Sequence, residues 1–166
     1  MDESQRERIR QRYAYSCGYC GVHESDVGAT LTVDHHQPTI HGGTNADENL
    51  VYCCHRCNEH KGAYWHEVQV PHIRLLHPLE DNLTLHLREQ ENSQFVGETT
   101  EGIFYIQRLR LNRSQLIEYR RRKHADRKTH NEVKILRQQI YDLQQELVQL
   151  NSSLHETLTE IDRETT

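Results

Sequence analysis

Four cysteines form two pairs whose spacing suits a single tetrahedral metal ion. Cys17 and Cys20 make one C-x-x-C pair, and Cys54 and Cys57 make a second pair after 33 intervening residues. Each C-x-x-C turn presents two sulfurs to one point, and four thiolates bind Zn²⁺ tetrahedrally. A redox dithiol or buried thiols would explain one pair, whereas two pairs predict a structural zinc site. We interpret the fifth cysteine, Cys53, as an interior-facing strand residue.

Next to the cysteine pairs lie the side chains that phosphodiester hydrolysis requires. Asp34 and Asn58 offer a carboxylate and an amide oxygen, which suit Mg²⁺ or Mn²⁺. His35, directly after the acid, can accept a proton from water near neutral pH. Lys61 or Arg56 could balance the charge of a phosphate. A hairpin followed by a helix would bring positions 34 and 58 together.

The order of these elements resembles the HNH endonucleases of the zinc-containing ββα-metal type. The resemblance rests on C-x-x-C, D-H-x-x-P, G-G, N-L and C-x-x-C-N-x-x-K-G, in that order, over about residues 13–62. A looser likeness to bacterial stand-alone HNH proteins extends over residues 63–120 and includes Val70 and Pro71.

The resemblance implies a role for each matching position. Asp34 would bind the catalytic metal, and His35 would be the general base. Asn49 would orient His35 or brace the metal loop. Asn58 stands where many relatives carry histidine, which implies a harder metal and hence Mg²⁺. His36 replaces the usual apolar residue after the base, and we interpret it as a strand-end residue rather than a phosphate contact.

These residues together predict a metal-dependent HNH endonuclease. His35 would take a proton from water, while a metal on Asp34 and Asn58 would stabilise the charge at the phosphate. We favour DNA as the substrate, although the residues do not distinguish DNA from RNA. Two alternatives stay open: a non-catalytic zinc module that binds DNA, and a coiled-coil interaction scaffold, which would usually need two zinc sites.

Composition predicts a small folded part followed by a solvated helical part. Hydrophobic residues make up 34% of the chain and charged residues 27%, which is thin for a large core. No apolar run approaches the ~18 residues that a membrane span needs, and the polar start is unlike a signal peptide. We therefore expect a cytoplasmic protein with reduced cysteines.

Basic side chains are concentrated in one segment, although the net charge is −5. Residues 104–137 hold 11 basic and 3 acidic side chains, whereas the segments on either side are net acidic. Such a segment predicts contacts with nucleic-acid phosphates, which give affinity without sequence specificity. The predicted nucleic-acid contacts are Arg120, Arg121, Arg122, Lys123, Arg127, Lys128 and Lys61.

The C-terminal residues carry the heptad pattern of a coiled coil. The a positions are Val133, Ile140, Leu147, Leu154 and Ile161, and the d positions are Leu136, Leu143, Leu150 and Thr157. This pattern favours a homodimer or other oligomer through 129–162 over an antiparallel hairpin on the preceding helix. The sequence leaves open whether the protein acts alone, in antiviral defence or in a larger effector complex.

We predict an α+β fold in three parts. An HNH core with a zinc knuckle covers 1–62, an accessory hairpin with basic helices covers 63–128, and the coiled-coil helix covers 129–166. Within them the pattern predicts helices at about 3–14 and 55–65, strands at 29–33 and 50–53, a hairpin between Leu83 and Val96, and helix caps at Thr99 or Thr100 and at Asn112.

Overall fold

The computed structural model describes residues 1–66 and 73–164, without the side chains of 156–158, 160–162 and 164. Val70 and Pro71, which contribute to the looser family likeness, lie outside the described residues. The chain divides into two compact units, Met1–Arg121 and Arg122–Thr166. The first unit therefore contains the predicted nuclease core together with most of the predicted accessory part.

Short helices and strands alternate in the first unit, which gives the predicted α+β class. Their bounds are α1 Glu3–Arg12, α2 Glu24–Val27, β1 Thr32–His35, β2 Leu50–Cys53, α3 His55–Lys61, β3 Leu87–Glu89, β4 Phe95–Gly97 and α4 Thr100–Arg108. Single turns of 3₁₀ helix lie at Thr39–His41, Asp47–Asn49 and Leu83–Leu85. The last helix, α5, covers Ser114–Glu164.

An antiparallel hairpin and the helix after it position the candidate site. β1 pairs with β2, with Asp34 opposite Val51 and His35 opposite Leu50. All four residues of β2 are buried, because α1 packs against this strand while α3 packs against β1. The loop between the strands returns the chain so that α3 begins directly beside the hairpin.

The first strand begins three residues later than predicted. The strand expected at 29–33 begins at Thr32 because side chains take both backbone groups of Leu31. The Leu31 N–H donates to the Tyr52 hydroxyl over 2.7 Å, and its carbonyl accepts from Arg6 over 2.9 Å. The alternation of apolar residues in the sequence does not reveal hydrogen bonds between the backbone and side chains far away in the chain.

The core of the first unit joins α1, β2, α4 and the start of α5. Ile9, Val51, Tyr105 and Leu109 have no exposed surface. Burying a side chain of this size contributes about 1.5–3 kcal/mol. α4 also lies against the backbone of residue 86 so closely that only glycine fits at Gly102. This small core agrees with the low apolar content of the chain.

The end of α3 and the start of α4 test two further predictions. α3 ends at Lys61 rather than Trp65, because Gly62 follows with φ +55. Of the two predicted caps of α4, Thr99 is the N-cap residue, and its hydroxyl accepts from the Gly102 N–H over 3.1 Å.

Asn112 does not cap α5 but ties β4 to the turn between α4 and α5. The N–H of Phe95 donates to its Oδ1 over 2.7 Å, and its Nδ2 donates to the Phe95 carbonyl over 2.8 Å. The predicted hairpin also starts later than expected, because Leu83–Leu85 forms a 3₁₀ turn and β3 begins at Leu87.

α5 is one continuous helix, so no turn allows the antiparallel hairpin considered as an alternative. Its large apolar seam residues are between 41% and 67% exposed: Val133, Leu136, Ile140, Leu143, Leu147, Leu150 and Leu154. The side chains of the remaining seam positions, Thr157 and Ile161, lie outside the description. Among the described residues, no helix is both long enough and apolar enough to cross a bilayer.

Candidate active site and metal centre

The four paired cysteines form one compact cluster, as their spacing predicted. Their Sγ atoms all lie within 4.8 Å of one another, and all four residues are buried. Cys20 Sγ lies 3.8 Å from Cys54 Sγ. Sulfurs about 2.3 Å from a central Zn²⁺ in tetrahedral geometry would be about 3.8 Å apart. Both the four-sulfur donor set and the spacing therefore fit zinc.

The start of α3 is built into this cluster. Cys54 is the N-cap residue of α3, and its Sγ accepts from the Cys57 N–H over 3.4 Å. Hydrogen bonds from Cys17, Cys20 and Cys57 lower the pKa of the Cys54 thiol, so Cys54 is the thiol of this cluster that ionises first. Cys53 is fully buried in β2, and burial raises its pKa, which agrees with a structural role in the strand.

Asp34 is buried in β1, where α3 and the first cysteine turn hold its carboxylate. The Nζ of Lys61 lies 3.2 Å from Oδ1 and 3.0 Å from Oδ2. The Tyr19 hydroxyl donates to Oδ2 over 2.7 Å. Burial raises the pKa of Asp34, while Lys61 and Tyr19 oppose this rise. A carboxylate has about four acceptor positions, so it can keep these partners and still bind a cation.

Lys61 is an internal cation, and the prediction that it contacts nucleic acid is wrong. Its side chain has no exposed surface, and its Nζ also donates to the His35 carbonyl over 2.7 Å. A group that water does not reach has no route to a phosphate. The ion pair with Asp34 joins residues 27 positions apart, which explains why the sequence pattern alone did not reveal it.

His35 is half-buried, and a side chain from the following loop orients it. Its Nε2 lies 2.7 Å from Asn45 Oδ1. An amide oxygen cannot donate, so Nε2 is the donor in this contact, and in the neutral imidazole Nδ1 is the acceptor. α1 holds this loop, because Gln5 donates to the Asn45 carbonyl over 2.6 Å and to Asp47 over 2.8 Å. Sequence reasoning missed both Asn45 and Gln5.

Asn49 closes the loop between β1 and β2. Its Oδ1 accepts from the Gln37 N–H over 2.8 Å, and its Nδ2 donates to the carbonyls of Gln37 and Thr44. A Cβ at Gly43 would collide with the Gln37 carbonyl, which explains the second glycine of the G-G element. Of the two roles implied for Asn49, this geometry matches bracing of the loop.

Asn58 lies one helical turn before Lys61 on α3. Residues three apart share a helix face, so Asn58 is on the face from which Lys61 reaches Asp34. Asn58 is half-buried. An amide placed this way can supply an oxygen to a cation beside Asp34.

His36 is a packing residue in this structure. Its ring meets the His77 ring edge-on with centroids 4.7 Å apart, and both residues are buried. Burial, His77 and Lys61 lower the pKa of His36 to about 3, so it is neutral at pH 7. This agrees with its interpretation as a strand-end residue rather than a phosphate contact.

The basic run on α5 is only partly available to a ligand. Arg120 is 6% exposed, donates to the Ser93 carbonyl over 2.7 Å and lies over the Phe95 ring. Its predicted phosphate contact is therefore wrong, because the guanidinium is used to hold the β3–β4 hairpin. The other predicted α5 residues are exposed: Arg121, Arg122, Lys123, Arg127 and Lys128.

Comparison with known families agrees with this geometry. Residues 17–63 match the family model described as HNH endonuclease. The matched segment covers both cysteine pairs, β1, β2 and α3, so this part of the chain matches the HNH endonuclease family and contains four cysteines positioned to bind a metal ion. Searches of curated proteins and of solved structures found no match.

We expect replacement of Cys57 by serine to abolish zinc binding and to destabilise the first unit. Structural zinc binding contributes about 10–16 kcal/mol in small zinc domains at neutral pH. Elemental analysis should give one zinc per chain for the wild type and less for Cys57→Ser, with a lower urea midpoint. Cys53→Ala should keep its zinc, and two zinc ions per wild-type chain would contradict a single site.

A second prediction concerns the buried ion pair. Lys61→Met should destabilise the protein by about 3–5 kcal/mol, because it leaves the Asp34 carboxylate buried without its cation. Urea unfolding measures this loss. The double variant Asp34→Asn with Lys61→Met should recover much of it, since no unpaired charge remains. A single Lys61→Met variant as stable as the wild type would refute the pairing.

Proposed function

We propose that this protein is a metal-dependent endonuclease that hydrolyses phosphodiester bonds in DNA. The observation that carries the proposal is the position of three side chains within the HNH segment. Asp34 and His35 end β1, and Asn58 lies on the face of α3 that Lys61 directs towards Asp34. The four-sulfur cluster fixes the start of the same helix.

The oxygen atoms of Asp34 and Asn58 suit Mg²⁺ or Mn²⁺, which bind through few protein ligands and keep several waters. A divalent cation held there supplies Lewis-acid stabilisation of the charge that develops on the phosphate and on the leaving oxygen. Lys61 and Tyr19 keep the Asp34 carboxylate in place.

His35 is the proposed general base. Since Asn45 accepts from Nε2, Nδ1 takes the proton from the attacking water. The water oxygen forms a bond to phosphorus while the bond from phosphorus to the 3′ oxygen breaks. The departing 3′ oxygen takes a proton from solvent water, which leaves 5′-phosphate and 3′-hydroxyl ends. Asn45 acts by positioning the ring and does not touch the reacting atoms.

The two alternatives fit these observations less well. A zinc module that only binds DNA would not need Asp34, His35 and Asn58 in their family positions. A scaffold of the ubiquitin-ligase type would need two interleaved zinc sites, whereas residues 1–66 and 73–164 show one cluster of metal-binding side chains, at the four cysteines. Both differences favour the nuclease.

We expect the wild type to cut supercoiled DNA with Mg²⁺ or Mn²⁺ and not with chelator. His35→Ala should cut about 10²- to 10⁴-fold more slowly, the usual contribution of a general base. His130→Ala, an exposed histidine on α5, serves as the matched control and should cut at the wild-type rate. If the wild type binds DNA without any metal-dependent cutting, the binding module replaces the nuclease.

We further propose that α5 pairs with a second copy of this chain. Its seam from Val133 to Leu154 is apolar yet exposed, and an isolated helix gains most of its stability from packing such a face. In a parallel pair, Glu132 at a g position would face Arg137 at the e position of the partner helix. Two copies would bring two nuclease domains to one DNA molecule.

The self-association test compares two faces of the same helix. Leu143→Glu places a charge in the seam and should convert a dimer into a monomer. Gln145→Glu adds the same charge on the opposite face and should leave the dimer intact. Light scattering coupled to size-exclusion chromatography measures both masses. A monomeric wild type at tens of micromolar would refute pairing, even if the protein cleaves DNA.

A further inference from the structure

The turn between α4 and α5 places a guanidinium group against the sulfur cluster. Arg113 Nη2 lies 3.7 Å from Cys57 Sγ and 4.0 Å from Cys54 Sγ. Its Nη1 donates to the carbonyls of Leu109 and Arg110 over 3.1 and 3.2 Å. One side chain thus joins two zinc ligands to the end of α4.

The charge of the zinc centre explains why a cation belongs at this position. Four thiolates around one Zn²⁺ carry a net charge of about −2, and burying charge is costly unless a partner compensates it. Among the described residues, Arg113 is the basic side chain with hydrogen bonds to these sulfurs. It is half-buried, so water screens the interaction only in part.

The last residue of α4 holds the other end of α3. Arg108 donates to the Lys61 carbonyl, which lies at the C-terminus of that helix, and stacks on Tyr64 at 4.9 Å. A cation there is favourable because helix C-termini carry partial negative charge. The short helix that carries Asn58 is therefore held at both ends by arginines from outside the segment that matches the HNH family.

We propose that Arg113 is an outer-sphere partner of the zinc centre that slows zinc release and couples zinc binding to the turn at residues 109–113. Groups that hydrogen-bond metal ligands change metal affinity by about 10- to 100-fold when removed. The inference depends on the zinc site alone. It holds or fails independently of the proposed cleavage of DNA.

The test measures the rate of zinc transfer from the full-length, zinc-loaded protein to an excess of chromogenic chelator. Arg113→Gln should release zinc about 10-fold faster or more. Arg113→Lys keeps the charge but loses the planar fork, and its rate should fall between those of the wild type and Arg113→Gln. Arg110→Gln, an exposed arginine of the same turn, should match the wild type.

Hydrogen exchange on the zinc-loaded proteins tests the coupling. Arg113→Gln should exchange faster than the wild type at amides 109–117 and equally at β1 and β2. Zinc release from Arg113→Gln at the wild-type rate would overturn the proposal, as would equal exchange at the turn. If Arg113→Gln does not fold, Arg113→Lys decides: a wild-type release rate overturns the proposal, and faster release supports it.

Discussion

The sulfur cluster joins two short segments that are far apart in the sequence. Cys17 and Cys20 follow α1, while Cys54 and Cys57 form the first turn of α3, and a metal bound by all four would fix that helix against the hairpin. The first unit has a small core, so a metal bound by the four cysteines would supply stability that side-chain burial alone does not. The position of Asn58, one residue after the last cysteine, depends directly on this constraint.

A second constraint acts at the other end of α3. The buried pair of Lys61 and Asp34 joins the last turn of the helix to β1, and the Lys61 ammonium also holds the His35 carbonyl. A buried ion pair is weak evidence of stability in itself, because desolvation offsets the attraction. Its value here is geometric, since it fixes the carboxylate that the proposed cation would share.

Elements on both sides of the segment that matches the HNH family contribute contacts to it. α1 holds the loop that carries Asn45, while the end of α4 provides Arg108 and the following turn provides Arg113 to the two ends of α3. Arg120 likewise serves the β3–β4 hairpin. Basic residues near the site are therefore divided between internal structure and the exposed face of α5, and only the exposed ones suit a polyanion.

Much of the candidate site could be predicted from local sequence, because its elements are short-range motifs. Two C-x-x-C pairs determine a four-sulfur cluster once the chain folds back, and the heptads of α5 determine an amphipathic helix. The second strand and the Thr99 cap also follow from local propensity. Each of these patterns is local, so its spacing is enough to reveal it. The two cysteine pairs lie far apart in the sequence, and the need of one metal for four sulfurs is what predicts that they meet.

Tertiary structure decided which charged and polar side chains face inward. The pairing of Lys61 with Asp34, the burial of Arg120 and the contact between Asn45 and His35 each join residues at least ten positions apart. The start of β1 also depended on a distant tyrosine hydroxyl. Sequence by itself determined the four-cysteine cluster and the order of the HNH motifs, whereas desolvation and long-range hydrogen bonds, which no local pattern encodes, decided the partners of each charge.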